Sequence, residues 1–241
     1  MHLSRSLASA GFVVTVLVMV TALVACSSTT VSDDSSATAF PTSVMMAPSQ
    51  TAVALPVPET LTDASVTLRD GPVAVPLALL LPSVDVDASV LGVGMTSADV
   101  MDAPMGTADD PVWQQAFWYR GSAVPGATST ALIAGHVSDS RGRPGVFGRL
   151  DRLVVGDPIV VHDTRTGLDV RFQVTGSTTF SLDETTDPAV LTQIYGAGPV
   201  AGLPPEPSTD GLAHLTLITC AGTFRNGTHD HRLVVFADRV G

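Results

Sequence analysis

The chain has no lysine: all 12 of its basic residues are Arg, set against 23 Asp and Glu, for a formal net charge of -11 over 241 residues. Nucleic-acid phosphates need a cationic face, so this balance argues against a nucleic-acid partner and leaves the acidity as a matter of solubility. Cysteine is almost missing, with Cys26 and Cys220 the only two. That excludes a disulfide framework. Aromatic residues make up only 5%, and there is no internal repeat. Long polar helix formers are also few, whereas Gly (21), Pro (17), Val and Thr are plentiful, which favours an all-β architecture rich in turns. The length beyond the amino terminus suits one domain of ordinary size.

Only one uncharged apolar run is long. It extends from Leu7 to Ala25, is preceded by Arg5, and is too apolar to remain in water, so it reads as an export signal. Its end, Leu23-Val24-Ala25-Cys26-Ser27-Ser28, resembles a bacterial lipoprotein signal, in which Cys26 would be lipidated and retained. The rival reading is an uncleaved membrane anchor. In both cases Arg5 inside and Asp33-Asp34 beyond the run put residues 27 onward outside the cell, with the protein held at the outer face of the membrane. Three regions follow: an export signal over 1–26, a Ser/Thr/Ala/Pro-rich tether over 27–72, and a folded domain over 73–241. The tether has a period of neither 2 nor 3.6. At about 3 Å per residue where extended, it would hold the domain roughly 100 Å from the membrane.

Within the domain, short β segments recur between turn signals: Leu77 to Val86, Thr130 to Ala134, Pro158 to His162, Asp169 to Val174, Leu215 to Thr219 and Leu233 to Ala237. Short helical patterns occupy Val146 to Leu153 and Pro188 to Tyr195. The sum is a small, mostly antiparallel barrel or sandwich.

Cys220 ends the run His214-Leu215-Thr216-Leu217-Ile218-Thr219-Cys220 and is followed by Ala221-Gly222, so the strand is expected to stop at the thiol, where a side chain can reach a cleft. An exported lone thiol is either a buried small hydrophobe or a working nucleophile. A nucleophile needs a partner to take its proton, and His136 emerges from a second apolar strand, Thr130 to Ala134, with Gly135 giving the backbone room; a capped loop histidine is the alternative. His162 reads as surface, and His214 lies at the far end of the Cys220 strand. Negative charge on a substrate carbonyl calls for a planar cation. Arg232 precedes Leu233-Val234-Val235-Phe236-Ala237 and would lie beside Cys220 if the two strands are antiparallel neighbours; Arg225, in the connecting loop, competes.

Leu217-Ile218-Thr219-Cys220, with Ala134-Gly135-His136-Val137 upstream and Arg232-Leu233-Val234-Val235-Phe236-Ala237 downstream, resembles the sortases. The likeness runs from about Pro76 to Ala237. Its stations include Leu81-Pro82-Ser83, Trp118-Tyr119, Gly145-Val146-Phe147-Gly148-Arg149-Leu150 and Leu153-Val154-Val155-Gly156-Asp157. Ala-Gly-His-Val followed by Gly-Val-Phe and Gly-Asp is most similar to the actinobacterial class F. The resemblance implies an eight-stranded closed β-barrel and a cysteine transpeptidase with His136, Cys220 and Arg232 as its catalytic trio. Thr219 and Ala134 are the implied substrate-binding residues. Such an enzyme cleaves a Leu-Pro-x-Thr-Gly-like sorting signal after Thr through a Cys thioester and passes the acyl group to an amine, usually on a cell-wall peptidoglycan precursor. No cofactor is expected, and no metal site either, because no spaced partner set completes His229, Asp230 and His231.

The chain departs from the family pattern in its lipoprotein-like signal, in the long segment Ser181 to Gly211, and in the histidines of Thr228-His229-Asp230-His231-Arg232. An L,D-transpeptidase is disfavoured because Thr219, not Gly, precedes Cys220 and His136 lies 84 residues upstream. The remaining alternative is a non-catalytic lipoprotein using a sortase-like barrel only to bind.

Overall fold

The computed structural model describes residues 68–97, 100–199 and 203–241. The export signal, Cys26 and nearly all of the tether lie outside these. Eight strands, β1 (Val73–Leu81), β2 (Val86–Val93), β3 (Ala116–Tyr119), β4 (Thr130–Gly135), β5 (Pro158–Asp163), β6 (Asp169–Ser181), β7 (His214–Arg225) and β8 (Thr228–Val240), close a barrel in the order β1-β2-β3-β4-β7-β8-β6-β5. Most neighbours are antiparallel, but β2 with β3 and β4 with β7 are parallel. The expected eight-stranded closed barrel is therefore the fold.

The strands follow from alternation. In β1, Leu77, Leu79 and Leu81 point into the barrel, while Pro76, which has no N–H to donate, falls within the register shift between Ala74 and Ala78. Leu215 and Leu217 of β7 and Val235 and Ala237 of β8 join these leucines in one core with Trp118, Phe147 and Phe172. Each large side chain so buried contributes on the order of 1.5–3 kcal/mol. The indole N–H of the buried Trp118 donates to the Ala123 carbonyl at 2.9 Å, so its polar end is satisfied.

The alternate residues face outward. Leu132 of β4, Ile218 of β7, and Val234 and Phe236 of β8 form a second cluster beneath the helix α1 (Pro188–Tyr195), which supplies Val190, Ile194 and Tyr195. The helix starts where the sequence signals it: Asp187 caps Ala189 at 2.7 Å and Pro188 takes the first position. The pattern expected over Val146 to Leu153 holds only a short 3-10 turn, Leu150–Arg152. No helix among the described residues is long and apolar enough to cross a membrane.

One expectation is corrected. The strand does not stop at Cys220: β7 continues to Arg225, and β8 begins at Thr228, four residues before Arg232. The pairing shifts register between Ala221 and Phe224, around Gly222 at φ +75°, and the two strands then run out as a ribbon closed by Asn226 (φ 52°) and Gly227 (φ 82°). Positive φ at both turn residues suits a tight hairpin, and Asn-Gly is the pair that tolerates it. Cys220 therefore sits where the ribbon leaves the barrel.

Candidate active site

Cys220 and Arg232 are directly opposed on β7 and β8. Side chains alternate along a strand, and Leu217 and Leu233 belong with the interior, so Cys220 and Arg232 share the outer face with Ile218 and Val234. On the other side of β7, β4 runs parallel with Ala134 opposite Ile218. Continuing that register by two residues brings His136 level with Cys220. The residue parity of β4, with Ala131 and Ile133 inside and Leu132 outside, turns His136 to the same outer face. Two neighbouring strands and the residue that directly follows a third thus bring a thiol, a guanidinium and an imidazole into one row, at a strand spacing of about 4.8 Å.

The row is held in place locally. Thr219 is buried, and its hydroxyl donates to the Gly135 carbonyl at 2.8 Å, tying β7 to the residue before His136. Gly135 has no room for a side chain, because a Cβ would lie 2.6 Å from Phe147 Cδ2 and 2.7 Å from Val146 Cγ1. Ala134 is half-buried and packs against the cluster of Val93, Val112, Trp113 and Phe117. Of the two residues expected to bind substrate, Thr219 has its hydroxyl committed to the backbone, while Ala134 lies on the outer face.

The His136 ring is enclosed. Trp113 lies at 4.6 Å between ring centroids and tilted by 53°, and Phe117 meets the ring edge-on at 5.2 Å. Its Nε2 is 2.8 Å from the Pro104 carbonyl, which can only accept, so that nitrogen carries a proton. Burial lowers the pKa of the imidazole, and the Pro104 carbonyl offsets part of that fall. Among the described residues, no hydrogen bond joins the ring to the partly exposed Cys220 thiol. Pro104, Trp113 and Phe117 were not singled out from the sequence; the aromatic cluster Trp113 to Tyr119 was the one signal available.

Arg232 Nη1 donates to the carbonyls of His231 (2.8 Å) and His229 (3.2 Å), so the guanidinium is folded against its own strand. Tyr195, at the end of α1, lies within its electrostatic reach. Burial, then Tyr119 beside it, raise the Tyr195 phenol, and Arg232 draws it back. Arg225 ends β7 in the exposed ribbon opposite Thr228, five residues past the thiol. His162 pairs with Asp169 at 2.8 Å, and His214, at the other end of β7, lies between Asp238 (2.7 Å) and Asp210 (3.2 Å). Neither belongs to the row. The row can do what a thiol acyl transfer requires: offer a nucleophile, a group to carry its proton and a fixed cation for developing negative charge.

A family model described as "Sortase domain" matches residues 79–240. No curated protein matches significantly. Among solved structures, sortase C-1 from Actinomyces oris is 22% identical, with 68% of this chain and 73% of that chain covered and a TM-score of 0.46. A lid mutant of sortase A from Corynebacterium diphtheriae is also 22% identical, with 68% and 69% covered and a TM-score of 0.45.

Proposed function

The chain belongs to the sortase family, and from that membership we propose that it is an exported cysteine transpeptidase in which Cys220 is the nucleophile, His136 the proton carrier and Arg232 the electrostatic brace. The observation that carries this reading is the row itself: Cys220 and Arg232 are paired on the outer faces of β7 and β8, and His136 directly follows β4, whose register with β7, continued by two residues, reaches Cys220.

The sequence of steps follows from the groups present. The Cys220 thiol gives its proton to His136, and the thiolate sulfur bonds to the Thr carbonyl carbon of a Leu-Pro-x-Thr-Gly-like signal. Arg232 stabilises the charge that develops on the oxygen. The carbon–nitrogen bond then breaks, the departing Gly amine takes the proton from His136, and a thioester remains. An acceptor amine attacks that thioester, returns a proton to the ring and restores the thiol. The acceptor class is a cell-wall peptidoglycan precursor, and no cofactor takes part.

Ala134-Gly135-His136-Val137, Gly145-Val146-Phe147 and Gly156-Asp157 support assignment to class F. Arg5, the run from Leu7 to Ala25 and Cys26 support export with attachment to the outer face of the membrane through a lipid on Cys26. Mixing the protein with a library of sorting-signal peptides and diamino acceptors, with products read by mass, tests the reading. Transfer products after Thr support it; binding without turnover replaces it with a binding module.

A further inference from the structure

We infer that Trp113 is a positioning residue, which, through the strap of residues 103–110, fixes the His136 proton on Nε2 and reserves Nδ1 for the proton transfers of the reaction. This rests on the transpeptidase reading for what Nδ1 does, but not for where the proton sits.

The strap links β2 to β3 and passes over the ring. Its Pro104 carbonyl, 2.8 Å from Nε2, has no proton to give, so the contact exists only when Nε2 carries one. The neutral ring then has its lone pair on Nδ1. An imidazolium keeps the same contact and carries its second proton on Nδ1, so one nitrogen stays anchored throughout the cycle while the other exchanges.

Trp113 joins the strap to the ring. Its indole N–H donates to the Thr107 carbonyl at 2.7 Å, three residues along from Pro104, while the indole ring lies against the imidazole at a 53° tilt. The other end of the strap is held from the turn after β4. Arg143 Nη2 donates to the Ala108 carbonyl at 2.6 Å and to Asp109 at 2.9 Å, and Arg141 pairs with Asp109 at 3.3 Å. Arg143 Nε in turn bonds Asp139 at 2.6 Å. The titratable and charged groups on the packed elements are thus Asp109 and Asp110 on the strap and Asp102 just before it, Asp139, Arg141 and Arg143 on the turn, and Cys220 and Arg232 across the row. The polar atom that bonds the ring is the Pro104 carbonyl, a neutral acceptor that does not titrate; burial keeps the ring low in basicity, and this contact offsets part of that fall.

Trp113→Phe keeps an aromatic face against the ring and removes the N–H to Thr107. Nitrogen NMR of the labelled full-length protein, with the His136 signals assigned by comparison with His136→Gln, reads the tautomer in the resting enzyme. The wild type is expected to show Nε2–H alone. Trp113→Phe is expected to show a mixture of tautomers, an acid limb of kcat/KM moved further down, because the Pro104 carbonyl no longer supports the imidazolium while the aromatic face still buries the ring, and kcat reduced about tenfold with KM little changed. An Nδ1–H tautomer in the wild type overturns the inference even if the variant does not fold. So does a folded Trp113→Phe with the wild-type tautomer and pH profile. Wild-type protein that shows Nε2–H yet turns over no sorting peptide sinks the transpeptidase reading and leaves the tautomer assignment standing.

Discussion

Cys220 and Arg232 face each other across β7 and β8 as a direct antiparallel pair, both on the outer surface of the barrel at the point where the ribbon departs. A cross-strand pair has its Cβ atoms about 4.5–5.5 Å apart, so backbone register sets the Arg232 side chain off from a point beside Cys220. The guanidinium is further pinned by its bonds to the His229 and His231 carbonyls.

Arg232→Lys should therefore lower kcat/KM by roughly ten- to a hundredfold although the charge remains, because an ammonium cannot bond two carbonyls and face a substrate oxygen in one plane. Steady-state kinetics on a sorting-signal peptide check this. Wild-type turnover would move attention to Arg225.

Gly135→Ala should harm both fold and activity. The new methyl would meet Phe147 and Val146 at 2.6–2.7 Å, just before His136 and at the carbonyl that accepts from Thr219. Overpacking of this kind costs about 1–3 kcal/mol. Thermal unfolding should show a lower Tm, and kcat/KM should fall further than the loss of folded protein explains. An unchanged Tm would show that the barrel edge has slack here.

Asp139 gives the turn that holds the strap a dependence on pH. Its burial works to raise the carboxyl, but the Arg143 side chain and the backbone N–H groups of Arg143 and Arg141 outweigh it and hold the group below the ordinary carboxylate range. A depressed folded value means stability that is present above about pH 4, where an unfolded Asp is ionised, and is lost as the pH falls through the folded value. Asp139→Asn should be less stable than the wild type at pH 7, with the difference shrinking as acid is added. Denaturation curves at several pH values check the sign. A gap that widens in acid would contradict it.

The strand interiors were legible in the sequence because alternation and β-branched runs report burial directly: Leu215 to Thr219 and Leu233 to Ala237 lie within β7 and β8. The helix at Pro188–Tyr195 was legible from its proline start. The ribbon was missed because Thr223, Phe224 and Arg225 are exposed and carry no alternation, although Asn226-Gly227 was a hairpin signal in plain view. The parallel pairing of β4 with β7, which brings His136 level with Cys220, joins segments some 84 residues apart and leaves no local trace. The same holds for Pro104 on His136: a backbone carbonyl acts there, and any residue has one.

Cys26→Ser should block lipid attachment and leave a protein released from the membrane or retaining its full signal. Mass of the mature amino terminus and membrane fractionation check it. A full-length membrane species in both wild type and variant would favour an uncleaved anchor.

Intact-mass analysis of the protein mixed with a Leu-Pro-x-Thr-Gly peptide, quenched in acid, tests the account most directly. It predicts an adduct equal to the peptide up to its Thr acyl group, mapped to Cys220, discharged by an added amine, absent from Cys220→Ala and nearly absent from His136→Ala. Peptide cleavage that proceeds unchanged in Cys220→Ala, or an adduct that forms at full rate without His136, would contradict it.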